Sequence, residues 1–97
     1  MIDLTEDSNL HTVLEIANWI LAKVRTSDEV FQEELVYEIQ ETFGDEFVYE
    51  NENGNLAINR KVLNAFTKVS GDEIVWERGT RLWRLRQPGD EPGRQQY

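Results

Sequence analysis

Apolar residues recur at intervals of three and four over residues 10–25, which is the period of an amphipathic helix. We therefore predict a first helix over these residues, preceded by a polar, flexible N-terminus of residues 1–9. The apolar stripe of this helix consists of Leu10, Val13, Ile16, Ala17, Ile20, Leu21 and Val24.

A second helical stripe follows, with apolar residues spaced four apart. Residues 26–29 read Thr-Ser-Asp-Glu, a capping-box pattern that places acids where the helix dipole favours them. Gly44 stands where a left-handed residue ends many helices. The pattern predicts a helix that begins at the capping box and ends at Phe43 or Gly44. Its buried stripe consists of Phe31, Leu35, Val36, Ile39 and Phe43.

Asn53-Gly54 predicts a hairpin with a two-residue type I′ turn, because both residue types tolerate positive φ. That turn places Asn51 opposite Leu56 and Tyr49 opposite Ile58. In this register the apolar and polar side chains separate onto two faces, which favours it. The apolar face consists of Phe47, Tyr49, Leu56 and Ile58.

Asn59 is an N-cap residue for a third helix, which Gly71 ends. Helical spacing turns four apolar side chains of this helix inward and leaves a basic outer face. The inward residues are Val62, Leu63, Phe66 and Val69.

A second hairpin is predicted around Gly79-Thr80, where Gly at the first central position suits a type II′ turn. Trp76 then opposes Trp83, and Ile74 opposes Leu85, on one apolar face. The other face carries charged residues and two apolar residues that we expect to be exposed. Its members are Glu73, Val75, Glu77, Leu82, Arg84 and Arg86.

The order of elements predicts one α+β domain over residues 10–86. In this domain three helices pack on a small antiparallel sheet made by the two hairpins. Residues 87–97 contain two Pro-Gly steps and no periodicity, so we predict a flexible tail. A helix followed by a C-terminal ribbon resembles the winged-helix plan. Residues 45–58, between the second and third helices, depart from it.

Two segments carry a family resemblance: FGDEFVYENENGNLAI at residues 43–58 and VWERGTRLWR at residues 75–84. They resemble a family of small uncharacterised bacterial proteins, and the resemblance covers roughly residues 10–95. It implies a bacterial or phage origin and no catalytic residue.

The net charge of −9 is distributed unevenly. Residues 1–58 hold two bases and fourteen acids, whereas residues 59–97 hold eight bases and five acids. The acidic half repels nucleic acid and anionic membranes. The absence of cysteine excludes disulfides and thiolate zinc sites, and a reducing cytoplasm is the expected location. No targeting or membrane segment is expected.

Other candidate chemistry has a simpler structural interpretation. Helix-spaced glutamates lack the histidine of di-iron sites, and residues 50–55 resemble a calcium loop without its ligands at the first and last positions. His11 has no placed nucleophile, and the aromatic residues of the hairpins suit a core better than a base-stacking platform. We predict no catalytic residue, cofactor or metal.

One basic constellation on the third helix and the ribbon remains as a contact site for a partner. We predict a non-catalytic protein-interaction or regulatory module whose partner is another protein. The alternative is a nucleic-acid-binding winged-helix variant using helix 60–69 and the 73–86 ribbon, which the net charge disfavours. The simpler interpretation, which we favour, is that the same bases form intramolecular or partner salt bridges to the acidic half. The contact residues are Arg60, Lys61, Asn64, Lys68, Arg78, Arg81 and Arg84.

Overall fold

The computed structural model describes residues 4–93 and 95–96, with side chains described from Thr12 onward. Over these residues the chain has an α+β fold, as the sequence predicts. In chain order the elements are α1 (Leu4–Ser27), β1 (Glu29–Phe31), α2 (Gln32–Phe43), a 3₁₀ turn (Asp45–Phe47), β2 (Val48–Glu50), β3 (Leu56–Ile58), α3 (Arg60–Ser70), β4 (Ile74–Glu77), β5 (Leu82–Leu85) and β6 (Gln95–Gln96).

Helix α1 extends beyond the predicted residues 10–25 at both ends. Residues 4–9, assigned to a flexible N-terminus, form its first turns, and residues 1–3 lie outside the described part. The predicted apolar stripe is buried from Val13 to Val24, which confirms the helical period. The side chain of Leu10 is outside the described residues.

The capping-box prediction is wrong. Helix α1 continues to Ser27, and Asp28 takes a left-handed φ of 68°, which Asp tolerates better than most residues. The next three residues form β1, so α2 begins at Gln32. Tertiary pairing overrides the local signal, because Val30 lies opposite Trp83 and is buried. Phe31 is therefore a strand residue with 42% exposure instead of a member of the α2 stripe.

The remainder of α2 follows the prediction. Leu35, Val36 and Ile39 are buried, the helix ends at Phe43, and Gly44 has a φ of 116°. Only glycine adopts such a conformation without a steric cost.

The first hairpin forms, but its predicted register is wrong by one residue. Tyr49 opposes Ala57, and Val48 opposes Ile58. Among Asn53 and Gly54 only Gly54 has positive φ, so the turn is not type I′. The side chain of Asn51 explains the change, because its Oδ1 accepts hydrogen bonds from the backbone N–H groups of Asn53 and Asn55. Tyr49 consequently faces away from the core and is half exposed.

Helix α3 and the second hairpin are close to the prediction. Asn59 caps α3, and Gly71 follows its last residue. The predicted register of β4 and β5 is confirmed, with Trp76 opposite Trp83. The type II′ turn is wrong, because Gly79 lacks positive φ and Arg81 takes a φ of 55° instead.

The two hairpins do not merge into one sheet, which corrects the predicted architecture. Strands β2 and β3 form a separate two-stranded sheet, whereas β1, β5, β4 and β6 form a four-stranded sheet in that order. Strand β6 is parallel to β4, so this sheet is mixed. The inner face of the sheet packs on the helices: the Trp83 ring meets Phe66 of α3 edge-on, with centroids 5.1 Å apart. Burial of each such side chain contributes about 1.5–3 kcal/mol.

The outer face of β4 and β5 is covered, contrary to the prediction. Val75 is 0% exposed and Leu82 is 4% exposed. The predicted flexible tail binds here, because Asp90 pairs with Arg84 on this face and β6 pairs with the edge of β4. The absence of periodicity after Gln87 does not predict these contacts.

Candidate functional site

The exposed face of α3 contains four of the predicted contact residues. Asn59 fixes the start of this helix, because its side chain accepts a hydrogen bond of 2.8 Å from the Lys61 backbone N–H. Buried Val62 and Phe66 fix its rotation. The residues left in solvent are Arg60, Lys61, Asn64 and Lys68, as the sequence predicts.

The three cations of this face have no carboxylate within ion-pair distance among the described residues. Some cations elsewhere in the described chain do bind acids of the same molecule: Lys23 binds Glu38, Arg25 binds Glu73, and Arg84 binds Glu77 and Asp90. Arg86 instead donates to backbone carbonyls. The α3 cations therefore keep their charge available to solvent.

Arg84 is engaged inside the molecule. Its Nε lies 2.5 Å from Glu77 Oε2, and its two terminal nitrogens lie 2.7 and 2.9 Å from the two oxygens of Asp90. The two-pronged bond to Asp90 is the main cause that raises the pKa of Arg84. In turn Arg84, with the Gln87 N–H, lowers the pKa of Asp90 to about 2. Arg84 thus pairs within the molecule, but with acids of residues 59–97 instead of the acidic half that the sequence suggested.

The structure does not bring Arg84 and the α3 residues onto one surface. Neighbours on a strand point to opposite faces, and Trp83 points toward Phe66 of α3. Arg84 therefore points away from α3. On α3 itself, Lys61 and Lys68 lie on the exposed side while Phe66 is buried. The predicted constellation is divided between two sides of the sheet.

The other two ribbon arginines lie in the turn between β4 and β5, at the far end of the ribbon from Ile74 and Leu85. Arg78 is exposed, and its backbone N–H donates to the Gln96 carbonyl at 2.9 Å. Arg81 is exposed and adopts the left-handed conformation, and its carbonyl accepts the Gln32 N–H at the start of α2. That bond ties the turn to the first residue of α2.

Sequence reasoning missed a groove of about 230 Å³ beside this turn. Its apolar lining comes from Phe31, Val36 and Leu56, and Tyr37 and Arg81 stand at its sides. Tyr37 is 55% exposed. The sequence pattern placed Phe31 in the buried stripe of α2, whereas it belongs to strand β1 and its ring lies at this surface.

Over the described part of the chain, no group of three or more His, Cys, Asp or Glu side chains is arranged to hold a metal ion. The side chain of His11 lies outside the described residues. None of the described helices is long and apolar enough to cross a membrane.

The fold and its surfaces define a small α+β protein with a basic helix face, a groove and a sheet that its own C-terminal residues contact. The chain belongs to a family of unknown function, DUF6953, whose model matches residues 12–85. No curated protein and no solved structure matches the chain. The predicted membership of an uncharacterised family is confirmed.

Proposed function

We propose that this chain is a non-catalytic interaction module that binds an acidic surface of another protein through the exposed face of α3. The observation that carries the proposal is the set of cations on α3 that have no acidic partner among the described residues. In a chain of net charge −9, the field of the molecule itself favours pairing of each base. These bases instead face solvent.

The geometry of the face supports a protein partner. Lys61 and Lys68 lie seven residues apart, which at 1.5 Å per residue separates their α-carbons by about 10 Å along the helix. Acids seven apart on a helix match that spacing and, like the two lysines, lie on one face. Asn64 lies between the two lysines and adds a donor and an acceptor to the same stripe. Charges at such a surface increase the rate of association and select the partner.

A nucleic-acid-binding winged-helix variant is the second candidate. The supporting observation is that the sequence of α3 contains no acid. No carboxylate on this helix would therefore repel a phosphate bound to its lysines. Two features oppose it. Arg84 binds Asp90 and Glu77 instead of a ligand, and the acidic half repels a polyanion.

The test is binding by a double variant, Lys61→Gln with Lys68→Gln. The matched control is Lys23→Gln with Arg25→Gln, which removes the same charge from cations already paired with acids. Tagged wild-type protein and both variants are incubated with native cell extract, with and without nuclease. We expect wild type and the control to retain an acidic protein that the α3 variant does not retain. Nuclease treatment should leave this binding unchanged. Equal retention by all three proteins contradicts it.

A mobility shift at about 20 mM salt separates the two candidates, because the Debye length there is roughly 20 Å and phosphate attraction is strong. The proposal expects no shift of mixed DNA or RNA by wild-type protein. A shift that the α3 variant loses supports the second candidate instead.

A further inference from the structure

The outer face of the β4–β5 ribbon contacts the chain's own C-terminal residues. Val75 and Leu82 on this face are buried, yet they lie outside the main core cluster that the helices form. Residues 87–93 with Gln95 and Gln96, which we call the C-terminal strap, bind at this face. Two sets of contacts join the strap to the face, and another fixes the shape of the strap itself.

The first set is backbone pairing beside β4. Gln95 lies opposite Trp76, and Gln96 lies opposite Glu77, in a parallel arrangement. The carbonyl of Gln96 accepts a hydrogen bond of 2.9 Å from the Arg78 N–H. The edge of β4 therefore receives an extended chain by strand addition, a common mode of peptide recognition.

The second set fixes the shape of the strap. The Gln96 side chain is buried, and its amide nitrogen donates to the Glu91 carbonyl at 2.8 Å. The Glu91 N–H in turn donates to the Gln96 side-chain oxygen at 3.0 Å. The polar atoms of a buried glutamine are thus satisfied by the strap itself, which folds back on its own backbone.

The third set is an ion pair in a confined position. The side chains of Arg84 and Asp90 are only 14% and 10% exposed. The planar guanidinium holds both carboxylate oxygens of Asp90, while Glu77 holds its remaining Nε–H. A fork of this kind recognises a carboxylate in one orientation and does so more strongly than a single charge.

The residues that the family model matches include the receiving face but not the strap. The match ends at residue 85, so it includes Val75, Leu82 and Arg84 but stops short of every residue of the strap. The receiving face thus belongs to the matched domain, and the strap lies beyond it.

We propose that the outer face of β4 and β5 is a docking site for an extended peptide that presents a carboxylate to Arg84, and that the C-terminal strap occupies it as an intramolecular ligand. A partner segment of the same chemistry binds by displacing the strap. This site is distinct from the α3 face, so the two proposals stand or fall separately. A ligand tethered to its own site acts at an effective concentration of roughly millimolar, which makes the strap a strong competitor.

The experiment uses the full chain and a fluorescent peptide with the sequence of residues 87–97. The released variant is Asp90→Asn with Gln96→Ala, which removes the carboxylate and the strap's internal hydrogen bonds and leaves the receiving face unchanged. We expect this variant to bind the peptide at least about tenfold more tightly than wild type does, because the tethered competitor is weakened. Asn53→Ala, at an exposed position in the turn of the first hairpin, is the control and should bind as wild type does.

A second peptide in which Asp90 is replaced by Asn tests the carboxylate without altering the protein. We expect its affinity for the released variant to fall by at least about tenfold, because Arg84 loses its two-pronged bond. Equal binding of both peptides overturns the proposal. It is also overturned if the released variant remains folded by circular dichroism and binds the first peptide no better than wild type does.

Discussion

Trp83 and Arg84 are neighbours on β5 that bind opposite halves of the molecule. The Trp83 ring packs edge-on against Phe66 of α3, and Arg84 holds Asp90 of the C-terminal strap. One strand thus anchors the core on one face and the strap on the other. The consequence is a sheet with buried side chains on both faces, Trp83 on one and Val75 and Leu82 on the other.

Trp83→Ala should destabilise the protein much more than Trp19→Ala. Trp83 is buried between Phe66 and Trp76, whereas Trp19 lies half-buried at the edge of its helix stripe, against Phe43. Truncation of a core Trp costs about 3–5 kcal/mol. Urea unfolding measures both variants, and equal losses in the free energy of unfolding contradict the assignment of faces.

Gly54→Ala and Gly79→Ala should differ although both glycines lie in hairpin turns. Gly54 has a φ of 78°, where a Cβ costs about 1–2 kcal/mol. Gly79 has no positive φ and open space around its Cβ position, so alanine there should be neutral or slightly stabilising. Thermal unfolding of the two variants distinguishes them. A similar melting midpoint for both would falsify the described turns.

Asn51→Ala should cost about 1 kcal/mol, because it leaves two backbone N–H groups of the first hairpin turn without their acceptor. Asn53→Ala is the matched control two residues further along, where the side chain is exposed. Denaturant unfolding gives both values. A larger loss for Asn53→Ala returns the type I′ turn to consideration.

The ion pair between Arg84 and Asp90 should make the free energy of unfolding depend on pH in acid. The Arg84 guanidinium, followed by the Gln87 N–H, lowers the pKa of Asp90 from 3.8 to about 2. A depressed pKa stabilises the folded state above pH 3.8, and this contribution is lost as pH falls through about 2. The difference in unfolding free energy between wild type and Asp90→Asn should therefore shrink between pH 4 and pH 2. A constant difference contradicts the ion pair.

The register of the second hairpin was predictable because its two faces differ sharply in polarity. With Trp76 and Trp83 opposite each other, apolar and polar residues separate onto different faces, whereas a three-residue loop would mix them. The prediction that Asn59 caps α3 depends only on local sequence, and it is confirmed. The predicted register of the first hairpin is wrong because the Asn51 side chain accepts a hydrogen bond from the turn backbone. The pattern of apolar residues does not encode that hydrogen bond.

Strand β1 and the strap were missed for a different reason. Three residues are too few to establish a period of two, and residues 26–29 carry a competing helix signal. The partner of Val30 is Trp83, more than fifty positions later in the chain, so only the folded sheet reveals the strand. The same holds for Asp90, whose role depends on the side to which Arg84 points.

The candidate site was therefore predicted in part. Exposure of Arg60, Lys61, Asn64 and Lys68 follows from helical spacing alone. The engagement of Arg84 and the position of Phe31 beside the groove depend on tertiary contacts.

The most direct test of the proposed function is to map where an acidic partner binds. A glutamate-rich helical peptide with acids seven residues apart is titrated into labelled protein at about 20 mM salt, and backbone amide shifts are recorded. We predict that the largest changes fall on residues 60–68 and vanish in the Lys61→Gln, Lys68→Gln variant, while the Lys23→Gln, Arg25→Gln control retains them. Changes that concentrate instead around Phe31 and Tyr37, or that persist in the α3 variant, would contradict the assignment of α3 as the partner surface.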